Sequence, residues 1–396
     1  MRAILFLLLA SSPLSLVGQL NEAPITLTLT QPEKRVYHCR PGPWGNLDYY
    51  PITLEAPDHL VEMVPRPSAR TVWSFPGLSV DQIRVVLKSA LLSDIAIDQV
   101  LRESLPTQLG PSYHLYPSIE LVEGMSPQSR SLLYAALRKW SVNRFHHSPV
   151  IIEDGNPHAW FSGSQLSPET IQRIESLCYR MGNSLAFSDV SAVLYRLTSD
   201  VEEFAFLKAL TRTRSLMLRL RIDENTDTDA LKSYWTMGLK SKDVLPYFDS
   251  ITRTPGNDRV DLIHLLPPTA RKYLNTFPTL ALGMEGNFPG SFWTSLNFFR
   301  YQPASDFNDD VYAVSYTRSF YSPAEKPYTF GDLLLISLPD SPTPIHSCVY
   351  VADDIVYTKN GRSVMRPFML MKINDLLSRY STEGTPTISI WRHDNP

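Results

Sequence analysis

Proline constrains this chain more than any other residue: 32 are spread over 396 residues, against 17 glycines. Each proline fixes its own φ, withholds a backbone donor and disfavours helix at the residue before it. Long uninterrupted helices are therefore disfavoured, and the chain must be built from short elements with stiff connections. The hydrophobic set makes up 43% of the residues and charged residues 19%, so there is apolar material for real cores and too little charge for a disordered chain. At this length two domains are expected, or three. The 37 Lys and Arg against 40 Asp and Glu leave a net charge of -3, which supplies no field to draw nucleic acid or an anionic membrane. Three cysteines cannot build a disulfide framework, and an odd number leaves at least one unpaired.

Arg2 precedes the apolar run from Ala3 to Leu9, and small residues follow as far as Gly18. Charged, apolar and small-residue regions in that order make residues 1–18 an expected secretory signal peptide, so a secreted or periplasmic protein is expected. The apolar run falls short of the ~20 residues that span a bilayer, and no later run reaches that length. With no cysteine beside Gly18, a lipoprotein anchor has no attachment residue.

Along the chain, local signals mark helices better than strands. Ser79 with Gln82 three residues on forms a capping box ahead of Ile83, Val86 and Leu87. Ser126-Pro127 and Ser167-Pro168 each place a cap residue before a proline at the first helical position. From Leu216 to Ile222 the even positions are apolar and Arg219 and Arg221 share the other face, which predicts a half-buried strand. The polar stretch from Asp223 to Asp229 is the best internal seam. Strands are expected at Ile25 to Leu29, Val311 to Tyr316, Leu333 to Leu338, His346 to Ala352, Ile355 to Tyr357, Phe368 to Ile373 and Thr387 to Arg392. The fold class expected is α+β. Residues 19–225 form a mainly helical module, 226–275 a helical connector and 276–396 an antiparallel-sheet domain.

Gly331-Asp332 opens one of these strands, His346 opens the next, and Asp354 to Thr358 leads into the one after. On these residues the segment 280–375 resembles the second half of an NlpC/P60-type, papain-like cysteine peptidase or amidase domain. The resemblance implies that His346 is the catalytic base, that the nucleophile starts the helix preceding the sheet, and that a polar residue on the following strand, where Thr358-Lys359-Asn360-Gly361 sits, orients the histidine. It also implies peptide or cell-wall amide substrates attacked by a thiolate. The helix in question begins at Ser291, and no cysteine lies between Cys178 and Cys348. A serine hydroxyl attacks only with a well-placed base and an oxyanion hole, and Ser291 is equally a helix N-cap. Asn360 is the candidate for orienting His346, and Asn360-Gly361 is equally a hairpin turn. Cys348, on the same strand face as His346, and Cys39, brought in from the N-terminal part, are alternative nucleophiles.

His146, His147 and His158 have no zinc-motif partners at short spacing, and no phosphate-binding or dinucleotide fingerprint occurs, so no metal or cofactor is expected. The function expected is that of an exported protein with an NlpC/P60-like scaffold, catalytically impaired, binding peptide or cell-envelope material. Two alternatives stand beside it. One is an active amidase or peptidase using His346 with Ser291, Cys39 or Cys348. The other is a structural module with a closed cleft.

Overall fold

Tyr37–His38 (β1) pairs antiparallel with Asn46–Leu54 (β2), and after β2 the chain makes a long excursion into a second core. The computed structural model describes residues 35–102, 112–153, 155–182, 184–238, 244–253, 258–283, 287–339, 341, 343–380 and 384–394. The expected signal segment 1–18 and the strand expected at Ile25 to Leu29 lie outside the described residues.

The excursion, residues 55–212, is mainly helical with small sheets: Trp73–Pro76 (β3) pairs with Ser112–Leu115 (β4), and Val150–Ile152 (β5) and Tyr179–Met181 (β6) both pair with Ser184–Phe187 (β7). Its helices start where the cap chemistry predicts. The Val80–Ser89 helix carries the Ser79/Gln82 capping box, and Ser126 and Ser167 accept from the backbone N–H of Ser129 and Thr170 ahead of Pro127–Leu137 and Pro168–Ser176. Trp73, Phe75, Leu133, Phe161, Phe187 and Phe206 are fully enclosed in the core these elements share. Arg130 is buried in it too. Its guanidinium donates to the carbonyls of Val122 at 2.6 Å and Met125 at 2.5 Å, which closes the end of the Ile119–Gly124 helix, and to Asp189 at 3.2 Å. Tyr134 donates to the other Asp189 oxygen at 2.5 Å.

Thr213–Arg221 (β8) brings the chain back, pairing with β2 along its whole length from Asn46↔Arg221 to Leu54↔Thr213. Arg259–Asp261 (β9) adds to its other side. Leu47, Leu216, Leu218 and Leu220 of this sheet share a second core with the C-terminal region. Residues 55–212 are thus inserted between two paired strands, and Leu47 of β2 shares its core with the C-terminal region.

The C-terminal region is a six-stranded antiparallel sheet of Tyr321–Ala324 (β10), Leu333–Ser337 (β11), His346–Ala352 (β12), Ile355–Lys359 (β13), Phe368–Lys372 (β14) and Thr387–His393 (β15), in the order β10-β15-β11-β12-β13-β14. One face packs on the Ser291–Leu296 helix, all six residues of which are buried, and the other on the Ile373–Ser378 helix. The α+β class holds, as multiple helices with open antiparallel sheets. The expected strand Val311 to Tyr316 is instead part of a helix, Asp310–Phe320. Asp309 caps it by accepting from the N–H of Val311 and Tyr312, and Ala313 and Thr317, four apart, are the residues it buries, leaving Val311 81% exposed. The alternation of apolar residues there mimics a strand, but the cap and the i, i+4 face decide the structure. No helix among the described residues is long and apolar enough to cross a membrane.

Candidate functional site

Side chains of a strand alternate between faces, and the alternation of β12 decides what His346 can meet. Ser347, Val349 and Val351 face the Ser291–Leu296 helix: Val349 and Val351 share its core, and Ser347 Oγ lies 3.1 Å from Ser295 Oγ. Cys348 and Tyr350 belong to the opposite face, in the cluster of Leu334, Ile336 and Leu376. His346 is on that second face. Its Nε2 lies 2.8 Å from Thr358 Oγ1 and its Nδ1 2.9 Å from the Tyr380 hydroxyl, just beyond the Ile373–Ser378 helix. With both ring nitrogens engaged, a neutral imidazole donates through one and accepts through the other. Burial pushes its pKa down to about 3, helped by the nearby Arg379 charge.

Ser291 is turned to the other side of the sheet. Its Oγ accepts from the backbone N–H of Ser347 at 3.4 Å, and the residue that occupies the cap position of its helix is Gly290. The N-cap reading of Ser291 is thus displaced by one residue. A Ser291-His346 pair is not formed: the neighbour in sequence of His346, Ser347, and not His346 itself, meets the Ser291–Leu296 helix. Neighbouring residues of a strand face opposite ways, so a histidine one position later, at the place of Ser347, would have met the helix.

The thiols do not substitute. Cys348 shares the His346 face but is fully buried, and desolvation raises its pKa well above the ordinary thiol range. Cys39 sits at the other end of β12, where the neighbouring Arg40 donates from Nε to Asp353 at 2.6 Å. At ~3.3 Å per residue, the strand separates the two ends by roughly 20 Å. Burial, then the Asp353 charge, pushes Cys39 up to about 12, so it is no ready thiolate.

The third expected residue, Asn360, is beside the histidine without touching it. Continuing the register Val349↔Tyr357 would set Asn360 opposite His346, but β13 ends at Lys359 and the imidazole takes the diagonal neighbour Thr358. Thr358 is legible from the alternation of β13. Nothing in the sequence singles out Tyr380, 34 residues beyond the histidine. Asn360-Gly361 does not make a two-residue hairpin: residues 360–367 form a longer loop, tied down by Lys359, whose Nζ donates to the carbonyls of Gly361 at 2.7 Å and Ser363 at 2.9 Å. Gly331-Asp332 has a structural use. Gly331 has φ +90° with the Phe299 ring where a Cβ would be, and Asp332 receives Nε and Nη2 of Arg392 at 2.7 and 2.8 Å, fastening β15.

Asn360 opens onto a cleft of about 590 Å³ between the inserted core and the C-terminal sheet. One wall is apolar, with Val61, Val64, Leu207 and Leu210 from the insertion; the other carries the 360–366 loop and Arg379. Arg379 crosses the cleft to Glu153 at 2.6 Å. Among the described residues, no cluster of His, Cys, Asp and Glu is placed to hold a metal. No family model matches this chain, and no curated protein or solved structure matches it either.

Proposed function

We propose that this chain is an exported binding protein on an NlpC/P60-like, papain-like scaffold that has no working catalytic pair and holds peptide or cell-envelope material in the cleft between its two cores. The observation that carries this reading is the parity of β12: His346 bonds Thr358 and Tyr380 on one face, while Ser291 meets Ser347 on the other. General base catalysis needs the base within hydrogen-bond reach of the nucleophile, and neither the hydroxyl of Ser291 nor a thiol stands there. The cleft supports the binding half of the reading, since its volume falls within the range of ligand pockets and its walls combine apolar and polar groups. The order of residues 1–18 supports export to a secreted or periplasmic location.

The test incubates the purified protein and its His346→Ala variant with peptidoglycan fragments and a mixed peptide library, following products by mass spectrometry and retention by equilibrium dialysis. The expected result is retention without new products. Cleavage by the wild type that disappears in the variant, with folding of the variant confirmed by circular dichroism, overturns it.

A further inference from the structure

The arginines of the cleft outnumber its acids. Arg138, Arg144, Arg214, Arg362, Arg366 and Arg379 line it, against the carboxylates of Glu153 and Asp375. This local excess of four positive charges stands in a chain whose net charge is -3, so composition does not explain it. The two acids are also weakened, because burial raises the pKa of both.

Part of the excess is committed. Arg379 is paired with Glu153 at 2.6 Å, and Arg362 with Asp310 at 2.8 Å and with Asn287. Arg144 and Arg366 are not: no carboxylate among the described residues lies within ion-pair distance of either, and the guanidinium of Arg144 rests over the Phe145 ring at 5.3 Å. Arg366 is half-buried in the cleft wall beside Arg379, and desolvation followed by that charge pushes it down to about 10. A guanidinium partly withdrawn from water with no anion beside it, next to a second one open to solvent, is suited to a partner that brings the anions. Asn360 Oδ1, in the same lining, is buried and accepts no hydrogen bond from any described residue.

We infer that the cleft binds an acidic peptide segment, with carboxylates received by Arg144 and Arg366, aliphatic side chains on the wall of Val61, Val64, Leu207 and Leu210, and a peptide N–H donated to Asn360. The inference rests on the binding reading above and names the ligand class. Guanidinium groups pair with carboxylates bidentately and retain their charge at all working pH, which fits this role better than it fits a neutral ligand. The orphan amide oxygen favours a peptide over an alkyl anion, because only the peptide brings N–H donors along its length.

Fluorescence anisotropy of the full chain with a labelled peptide of alternating Glu and Leu, and with its Gln and Leu counterpart, tests this. The Glu peptide is expected to bind about tenfold tighter than the Gln peptide at ~50 mM salt, with the difference shrinking at ~300 mM. Arg144→Gln and Arg366→Gln should each remove most of that preference. Arg84→Gln, at an ion pair with Asp98 outside the cleft, should leave it unchanged. Equal binding of both peptides overturns the acidic ligand while the binding reading stands. Binding of dodecyl phosphate with neither peptide, or binding of none of the three, overturns the acidic peptide as occupant; loss of peptidoglycan and peptide-library retention as well overturns the binding reading.

Discussion

His346 and Tyr380 are joined by a 2.9 Å hydrogen bond that fastens the end of the Ile373–Ser378 helix to the face of the sheet away from Ser291. The histidine is therefore a buried polar anchor. It is shared between a strand neighbour, Thr358, and a residue from the covering layer, and its chemistry is that of a satisfied core group.

Removing one partner at a time should expose that role. Tyr380→Phe and Thr358→Val are each expected to lower stability by about 1 kcal/mol, and His346→Ala by ~2–4 kcal/mol, because it leaves a cavity and strands the Thr358 hydroxyl. Urea unfolding measures this. A His346→Ala protein as stable as the wild type would contradict the anchoring role.

The pH dependence has a definite sign. His346 and His146 are both buried and both pushed by desolvation from an ordinary 6.5 to about 3, so the unfolded chain binds protons there that the folded chain does not. Stability is fully present above about pH 6.5 and is lost as pH falls toward 3, at about 1 kcal/mol per pH unit for each histidine. Asp189, lifted by burial to about 6, runs the other way between its ordinary value and 6, and softens the fall. His346→Gln should roughly halve the histidine contribution to the slope of unfolding free energy between pH 6.5 and 4. An unchanged slope would show that folding does not lower the pKa of His346.

Thiol chemistry should be silent. Burial raises the pKa of Cys39, Cys178 and Cys348, so iodoacetamide at neutral pH should label none of them until the chain is unfolded. Ser291→Cys should follow the same rule, since no histidine faces it. Rapid labelling of that variant, coupled with His346-dependent hydrolysis, would reinstate the peptidase chemistry.

In the inserted core, Asp189 holds Arg130 and Tyr134 together with no solvent at either charge. Asp189→Ala leaves a buried guanidinium without its anion and should cost ~3–5 kcal/mol, whereas Asp189→Asn, which keeps a hydrogen-bond acceptor, should cost less. Thermal unfolding of the two variants distinguishes charge pairing from packing.

Legibility in the sequence divides along the same line as the forces involved. Ser79, Ser126 and Ser167 cap helices through contacts three residues away, so their positions can be read directly. The pairing of Leu54 with Thr213 carries no local trace, and without it residues 46–54 cannot be assigned to the C-terminal core. The strands from Leu333 to Lys372 are readable as apolar runs. The fate of His346 depends on which face of β12 the Ser291 helix covers, and that is a matter of register, which short motifs do not encode. Arg366 carries no signal of its own, because a single arginine in a loop is ordinary until the walls around it are known.

The full-length pairing of β2 with β8 also sets the mechanics of the molecule. Residues 55–212 leave and re-enter the C-terminal core through register partners, Leu54 and Thr213, so the inserted body is held by two adjacent strands that cannot swivel independently. Any opening of the cleft has to flex this double stem as a unit. For the same reason a short turn joining Leu54 to Thr213 would excise the insertion and leave an ordinary hairpin, a deletion through which one half of the cleft can be removed at a single covalent junction.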